Sequence, residues 1–371
     1  MVRSEAVVDL DAIRDNVGLL RSRTAAAVMA VVKADGYGHG LVPAARAALA
    51  GGADWLGVAF LEEALALRRA GILAPTLSWL ATPGEDLAAA VAADVDLSAG
   101  APWAIAELAA AARTAGRPAR VHLKIDTGLS RGGAPAADWA ELVTAAAKAA
   151  AAGEVEVTGI WSHFAYADAP GHPTIARQVE SFGAAVDAAR RLGVDPPLRH
   201  LANSAATLTL PDAHFDLVRP GIAVYGLTPV PPERFGLRPA MTLRSTVALA
   251  KRVPAGSGVS YGHLYVTAAE TGLALVPLGY ADGVPRNATS VGPLQLGGRR
   301  RTISGRVCMD QFVVDVGDDA IAAGDEVVLF GPGDGGEPTA QDWAEATGTI
   351  SYEIVTRLGA RVPRSYRGGS P

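Results

Sequence analysis

Lys33 stands at the end of an apolar run, Val28 to Val32, and is followed by Ala34-Asp35-Gly36-Tyr37-Gly38-His39-Gly40. The run reads as a buried strand with Lys33 as its last residue, and the three glycines let the backbone turn tightly after it. Burial disfavours the ammonium form, lowers the pKa and leaves a free amine able to attack a carbonyl, as a Schiff-base lysine must. An isolated lysine at a strand end more often reaches back to solvent, but an aromatic and a histidine set between glycines argue for chemistry. Two later loops, Leu201-Ala202-Asn203-Ser204 and Arg219-Pro220-Gly221-Ile222, have the make-up of an anion cradle. Ser204 can begin a helix and offer its hydroxyl, and the amides of Gly221 and Ile222 can approach a phosphate closely. Taken singly these are an ordinary Asn-Ser cap and a Pro-Gly turn. Beside a Schiff-base lysine, a phosphate cradle implies pyridoxal 5'-phosphate.

The elements that must position these residues are strands alternating with helices. Strand patterns fall at Val28–Lys33, Asp54–Phe60, Thr76–Leu80, Val95–Leu97, Arg120–Asp126, Val155–His163, Leu198–Leu201 and Phe215–Arg219. Helical patterns such as Glu62–Ala70, Trp103–Ala115, Asp138–Ala152 and Thr174–Leu192 separate them. Eight such repeats are close to the size of a (β/α)8 barrel, whose active site lies at the C-terminal ends of its strands. The polar residues that break the apolar pattern gather at those ends. Lys33 closes the first strand, Lys124, Asp126 and Arg131 lie at or past the fifth, and His163 closes the sixth. Asn203 and Ser204 follow the seventh, and Arg219 closes the eighth.

After Pro239 the pattern changes to short β-rich runs, Thr242–Val253, Leu273–Leu278, Thr302–Val307, Phe312–Val316 and Glu326–Phe330, with one helical island, Gln341–Ala346, capped by Thr339. The predicted fold is therefore α/β, a (β/α)8 barrel over residues 1–240 followed by a mainly β domain over 241–371. Asp11 is the expected cap of a first helix that buries Ile13, Val17 and Leu20. The tail Arg367-Gly368-Gly369-Ser370-Pro371 has nothing to bury and is expected to fray.

Hydrophobic residues make up 49% of the 371 and charged ones 19%, enough for a large core and against disorder. A net charge of -5 offers no general attraction to nucleic acid or to an anionic membrane. The single cysteine, Cys308, excludes an internal disulfide and suits a reducing compartment. Met1-Val2-Arg3-Ser4-Glu5 leads into folded-looking sequence without a secretory pattern, and no apolar run is long enough to span a bilayer. A cytoplasmic enzyme is the expectation, with no metal.

The decapeptide from Val31 to Gly40 resembles the cofactor-lysine segment of bacterial alanine racemases, and the resemblance recurs along nearly the whole chain. Lys124-Ile125-Asp126-Thr127-Gly128-Leu129-Ser130-Arg131 resembles the family segment with a carbamylated lysine and a substrate-binding arginine, although Leu129 stands where many members have methionine. Trp161-Ser162-His163-Phe164, Gly258-Val259-Ser260-Tyr261-Gly262, Gly279-Tyr280-Ala281-Asp282-Gly283, Cys308-Met309-Asp310-Gln311 and Ser351-Tyr352-Glu353 are similar to further family segments.

The resemblance implies an amino-acid racemase that interconverts L- and D-alanine with two bases, Lys33 and Tyr261, on opposite faces of Cα. It implies that Arg219 faces the pyridine nitrogen, where a donor-only guanidinium keeps that nitrogen unprotonated and favours racemisation over transamination. Lys124, as a carbamate, would orient Arg131 toward the substrate carboxylate, and Met309 would offer that carboxylate a backbone amide. His163 would lie between Arg219 and the catalytic tyrosine, Tyr37 and Tyr352 would contact the phosphate, and Tyr280 would line the substrate entrance. A head-to-tail homodimer is implied, in which Tyr261 reaches the partner's Lys33. The competing readings are a serine or broad-specificity racemase, a non-catalytic pyridoxal-phosphate-binding barrel and a decarboxylase of similar plan. Residues 241–371 and Tyr261 argue against the second, and Arg219 against the third.

Overall fold

Val, Leu, Ile and Ala dominate eight short parallel strands, which read as apolar runs because they are buried on both faces. In the computed structural model, which describes residues 3–369, they are β2 (Ala27–Val31), β3 (Trp55–Val58), β4 (Thr76–Ser78), β5 (Asp96–Ala99), β6 (Ala119–Lys124), β7 (Val155–Trp161), β8 (Leu198–His200) and β9 (Leu217–Val218). Each of the eight strand patterns in the sequence corresponds to one of them. Their order, β8-β7-β6-β5-β4-β3-β2-β9, keeps sequence neighbours adjacent. Helices such as Leu61–Arg69, Pro102–Ala115, Trp139–Ala151 and Pro173–Arg191 pack outside. The gap between β8 and β9 is bridged by Asp216 N donating to Arg199 O at 3.0 Å and by Arg219 N donating to Ala202 O at 2.9 Å. The result is a nearly closed (β/α)8 barrel.

The mainly β part follows. Its largest sheet has six strands, ordered Arg299–Thr302, Pro293–Leu296, Glu326–Phe330, β10 (Met241–Thr246), β1 (Ser4–Asp9) and Arg364–Arg367. The strand that precedes the barrel therefore lies inside this sheet. β1 runs antiparallel to β10 and parallel to Arg364–Arg367 before the first helix, α1 (Leu10–Ser22), leads into the barrel.

Several expectations are corrected. The cap of α1 is Asp9, whose Oδ1 accepts from Ala12 N at 3.0 Å; Asp11 lies in the first turn, because β1 delivers the chain into the helix two residues earlier. Residues 304–307 are not a strand, since that pairing ends at Thr302 with one further bridge from Ile303 to Val314. Arg367 is paired in the sheet rather than frayed, and Gly369 N donates to Asp11 Oδ1 at 3.3 Å; Met1, Val2, Ser370 and Pro371 lie outside the described residues. The strand carrying Lys33 ends at Val31, so Lys33 opens a turn instead of closing a strand.

Thr339 does cap the helical island, Ala340–Thr347, accepting from Asp342 N at 3.1 Å while Asp342 returns a bond to Thr339 N. Thr339→Ala is expected to lower unfolding stability by about 1 kcal/mol, read as a shifted denaturant midpoint with an unchanged slope.

Candidate active site

The cavity at the C-terminal ends of the barrel strands has a volume of about 790 Å³ and is lined by Lys33, Lys124, Arg131, His163 and Arg219. Lys33 enters it from an unusual turn. Ala34, Asp35, Gly36 and Tyr37 all have φ between 52° and 61°, a left-handed helical turn in which only one of four residues is glycine. Side-chain oxygens hold it in place. Glu63 Oε1 accepts from Ala34 N at 2.6 Å, and Asp35 Oδ1 accepts from Leu41 N at 2.8 Å. Behind the turn, a Cβ on Gly38 would lie 2.3 Å from Val355 O, so only glycine lets helix Ser351–Thr356 approach this closely. That helix brings Tyr352 and Thr356 to the cavity wall.

Burial lowers the pKa of Lys33, the charge of Arg131 adds to the effect, and Glu63 opposes it. Lys124, at the end of β6 and 4.3 Å above the Trp161 ring, is pushed to about 8 by burial and by the charges of Arg219 and Arg131. Both amines are thus biased toward the free base. Arg131 is exposed at the rim, on a loop held by Asp126, whose Oδ1 accepts from the amides of Gly128, Leu129 and Ser130 at 2.9, 3.0 and 3.1 Å.

Arg219 is 4% exposed. Burial lowers its pKa to about 9, which leaves it a cation at neutral pH. Its Nη1 donates to His200 Nδ1 at 3.0 Å; its Nη2 donates to Ser162 O at 2.7 Å and shares its second hydrogen between Leu201 O and His163 Nδ1, each at 3.3 Å. Nε has no acceptor among the described residues and is a donor free for a ligand. Burial, then Arg219 and the other cations, hold His163 well below the ordinary imidazole value, so it is neutral. Because a guanidinium only donates, His163 Nδ1 is bare and its Nε2 carries the hydrogen.

The two loops expected to form an anion cradle meet. Asn203 caps helix Ser204–Thr209 through Ala206 N at 3.1 Å, so its side chain is occupied with the cap. Ser204 Oγ accepts from Gly221 N at 2.8 Å and Ala223 N at 3.3 Å, which joins the two loops. The amides of Ser204 and Ile222 begin their helices and have no acceptor among the described residues. A Cβ on Gly221 would meet the Tyr37 hydroxyl at 2.3 Å, so the missing side chain brings that phenol into the cradle. Tyr37 stacks on Tyr225 with 4.9 Å between centroids, and Tyr352 tilts toward it at 6.3 Å. Burial raises the pKa of Tyr37 and Tyr352, which keeps both as hydrogen-bond donors. An amine, a donor for a ring nitrogen and a ring of free amides and phenols fit a phosphorylated aldehyde such as pyridoxal phosphate.

Tyr261 and Met309 are not part of this cavity. They are 72% and 53% exposed, on loops tied together where Ser260 Oγ donates to Arg306 O at 2.9 Å and lies 3.2 Å from Cys308 Sγ. Tyr280 adjoins them, its amide donating to Cys308 O at 3.0 Å.

Two family models match: alanine racemase, N-terminal domain, over residues 8–229, and alanine racemase, C-terminal domain, over residues 240–366. The chain belongs to the alanine racemase family. It is 67% identical to the alanine racemase of Salinispora arenicola, with each chain fully covered, and 59% identical to that of Streptomyces coelicolor over 99% of this chain and 96% of the relative. The crystal structure of the alanine racemase from Streptomyces lavendulae superposes with a TM-score of 0.99 at 58% identity, covering 100% of this chain and 98% of that one. An alanine racemase from Bacillus anthracis, solved with bound L-Ala-P, is 37% identical with a TM-score of 0.91 and coverages of 99% and 96%. Within the alanine racemase family the chain is an enzyme, an isomerase acting on amino acids.

Sequence reasoning missed Glu63, Trp79, Trp161 and His200. Glu63 reads as the polar face of an amphipathic helix, yet it accepts from Ala34 and Ala59 amides and shapes the lysine turn. The tryptophans lie beneath Lys33 and Lys124, at 5.9 and 4.3 Å, and read as packing. In carbon-dioxide-free buffer, acylation of Lys124 is expected to rise with pH to a midpoint near 8. Peptide mass mapping across a pH series, with exposed Lys251 as reference, measures it.

Proposed function

We propose that this chain interconverts L- and D-alanine using pyridoxal 5'-phosphate and two bases, Lys33 and Tyr261. The observation that carries the reading is the convergence on one cavity of a deprotonation-prone lysine, a donor-only arginine with Nε free, and the unpaired amides of Ser204 and Ile222. When bound, the cofactor supplies a carbonyl for covalent attachment and a ring that spreads negative charge from Cα.

The roles of the chain's own residues follow from their chemistry. Ser204, Gly221, Ile222, Tyr37 and Tyr352 would hold the phosphate, with Asn203 shaping the loop. Arg219 would donate from Nε to the ring nitrogen; a cation with no lone pair to spare keeps that nitrogen unprotonated and weakens the ring as an electron sink, which favours prompt return of a proton to Cα. Lys33 would remove or return that proton on one face, as a buried amine with lowered pKa can. Tyr261 would act on the other. A phenol needs help at neutral pH, and His163, fixed with its hydrogen on Nε2, can donate to a phenolate oxygen and stabilise it.

Arg131 would pair with the substrate carboxylate, and the Met309 amide would assist. Lys124 is suited to carbamylation: its free amine can add carbon dioxide and release a proton. The cations that lower its pKa, Arg219 and Arg131, would stabilise the resulting anion. We read residues 1–240 and 241–371 as two functional domains, with β1 linking them by pairing in the second domain's sheet. Because Lys33 and Tyr261 do not meet within one chain, a homodimer with shared sites completes the reading. The single cysteine accords with a reducing cytoplasm.

Purified protein is expected to be yellow, and Lys33→Ala to lose both the visible absorption of bound cofactor and racemase activity. A coloured, active Lys33→Ala protein would count decisively against this function. A mixing experiment tests the shared site. Lys33→Ala and Tyr261→Phe chains, each inactive, are allowed to exchange subunits. Random pairing makes about half the dimers mixed, each with one intact site, so activity should return to roughly a quarter of wild type. Confirmed exchange with no recovered activity would place both bases in one chain.

A further inference from the structure

A line of buried polar groups runs from Arg219 through the barrel, away from the cavity. Arg219 Nη1 lies 3.0 Å from His200 Nδ1, His200 Nε2 lies 2.8 Å from His122 Nδ1, and His122 Nε2 lies 3.2 Å from Asp96 Oδ2. None of the four residues is more than 4% exposed. Asp96 opens β5 at the opposite rim, where Thr158 Oγ1 donates to it at 3.0 Å and Arg120 pairs with it.

The chemistry of the two ends fixes every hydrogen between them. A guanidinium has donors only, so His200 Nδ1 is bare. Neutral His200 then carries its hydrogen on Nε2 and donates it to His122 Nδ1, which is bare in turn. His122 carries its hydrogen on Nε2 and donates to the Asp96 carboxylate, an acceptor-only group when ionised. Burial, with Arg219 adding to it, holds His200 well below the ordinary imidazole value, in keeping with its neutral form. Burial alone would raise Asp96, but the hydrogen bonds it accepts, from His122 first and from Arg120, act against burial and its pKa lies below the ordinary carboxylate value.

The fold makes room for this line. A Cβ on Gly159 would fall 2.3 Å from His122 Nδ1, and the register between β6 and β7 shifts between Val121 and His122. His200 lies parallel to Trp161, 2° between planes and 5.7 Å between centroids, which resists rotation of its ring.

We propose that Asp96 is a positioning residue for Arg219: acting through His122 and His200 from the far rim of the barrel, it fixes Nη1 and thereby the direction of Nε into the cavity. The inference rests on the reading of Arg219 as the partner of the cofactor's ring nitrogen.

Histidine-selective nitrogen-15 spectra of the purified wild-type protein read the tautomers directly, and both His122 and His200 are expected neutral with hydrogen on Nε2. Asp96→Asn keeps the shape but lets a neutral amide present either end to His122. It is expected to mix the His122 tautomers, lower kcat about tenfold with the alanine KM within about twofold, and raise transamination relative to racemisation. Hydrogen on Nδ1 of either ring in the wild type overturns the proposal, whether or not the variant folds. So does a folded Asp96→Asn protein with wild-type kcat and product ratio when Arg219→Glu does alter that ratio. If Arg219→Glu also leaves the ratio unchanged, the reading of Arg219 fails instead. The positioning claim is then judged by the spectra alone: unchanged tautomers in Asp96→Asn overturn it and mixed ones support it.

Discussion

Lys33 reaches the cavity because the chain after it turns the wrong way round. Ala34, Asp35 and Tyr37 adopt left-handed backbone conformations that cost non-glycine residues about 1–2 kcal/mol each. Hydrogen bonds from fixed acceptors offset that strain: the Glu63 carboxylate on Ala34 N, the Val32 carbonyl on Gly36 N at 2.9 Å, and the Asp35 side chain on Leu41 N. Arg364 adds a bond to Gly38 O at 2.9 Å from the last strand of the β sheet. The turn keeps the amine of Lys33 and the phenol of Tyr37 on the same cavity only four residues apart. The β region that follows the barrel is thus needed for the shape of the barrel's own site.

Charge is the second constraint. Lys33, Lys124, Arg131 and Arg219 face one cavity, while Glu63 and Asp126, the nearby carboxylates, are bonded to backbone amides. Burial first, and the neighbouring cations after it, disfavour the protonated amines, so both lysines have lowered pKa values. An arrangement of this kind is stable with an anionic occupant and uncomfortable without one. A phosphate at the Ser204–Ile222 end and carboxylates near Arg131 and Lys124 would distribute two or three negative charges where the cations already lie.

The barrel was legible because its strands are continuous apolar runs and its site residues interrupt those runs at one end. His163 and Arg219 stood out by that interruption and Lys33 by it together with the glycines that follow, while their roles came from the family resemblance. The rest was hidden for identifiable reasons. β1 pairs with β10 and with Arg364–Arg367, contacts more than 230 residues apart in the chain that no local periodicity records. The left-handed turn was masked by its glycines, which suggest flexibility but not which non-glycine residues share the conformation. Asp96 and His122 sit within strand patterns as polar exceptions, and their meaning depends on a neighbour across the barrel. Asn203 follows the seventh barrel strand as expected, yet its side chain caps a helix, a use the sequence could not separate from a phosphate contact.

The exposed face beside Tyr261 bears on the whole arrangement. Tyr261, Leu264, Val266, Tyr280 and Met309 are 41–72% exposed, and backbone bonds through Cys308 and Met309 tie several of them together. Single exposed apolar side chains are normal, whereas a contiguous group of them would favour a covered surface. Covering one such side chain fully is worth about 1.5–3 kcal/mol, so five together are a substantial drive to association. Ser260, at φ 62°, and Gly262 hold Tyr261 outward on a short turn, away from its own chain's cavity. A symmetric pair of chains that buried this face against the rim of the partner's barrel would set each tyrosine and each Met309 amide over the other's lysine. The association that removes this apolar surface from water would then also bring a phenol to each cavity.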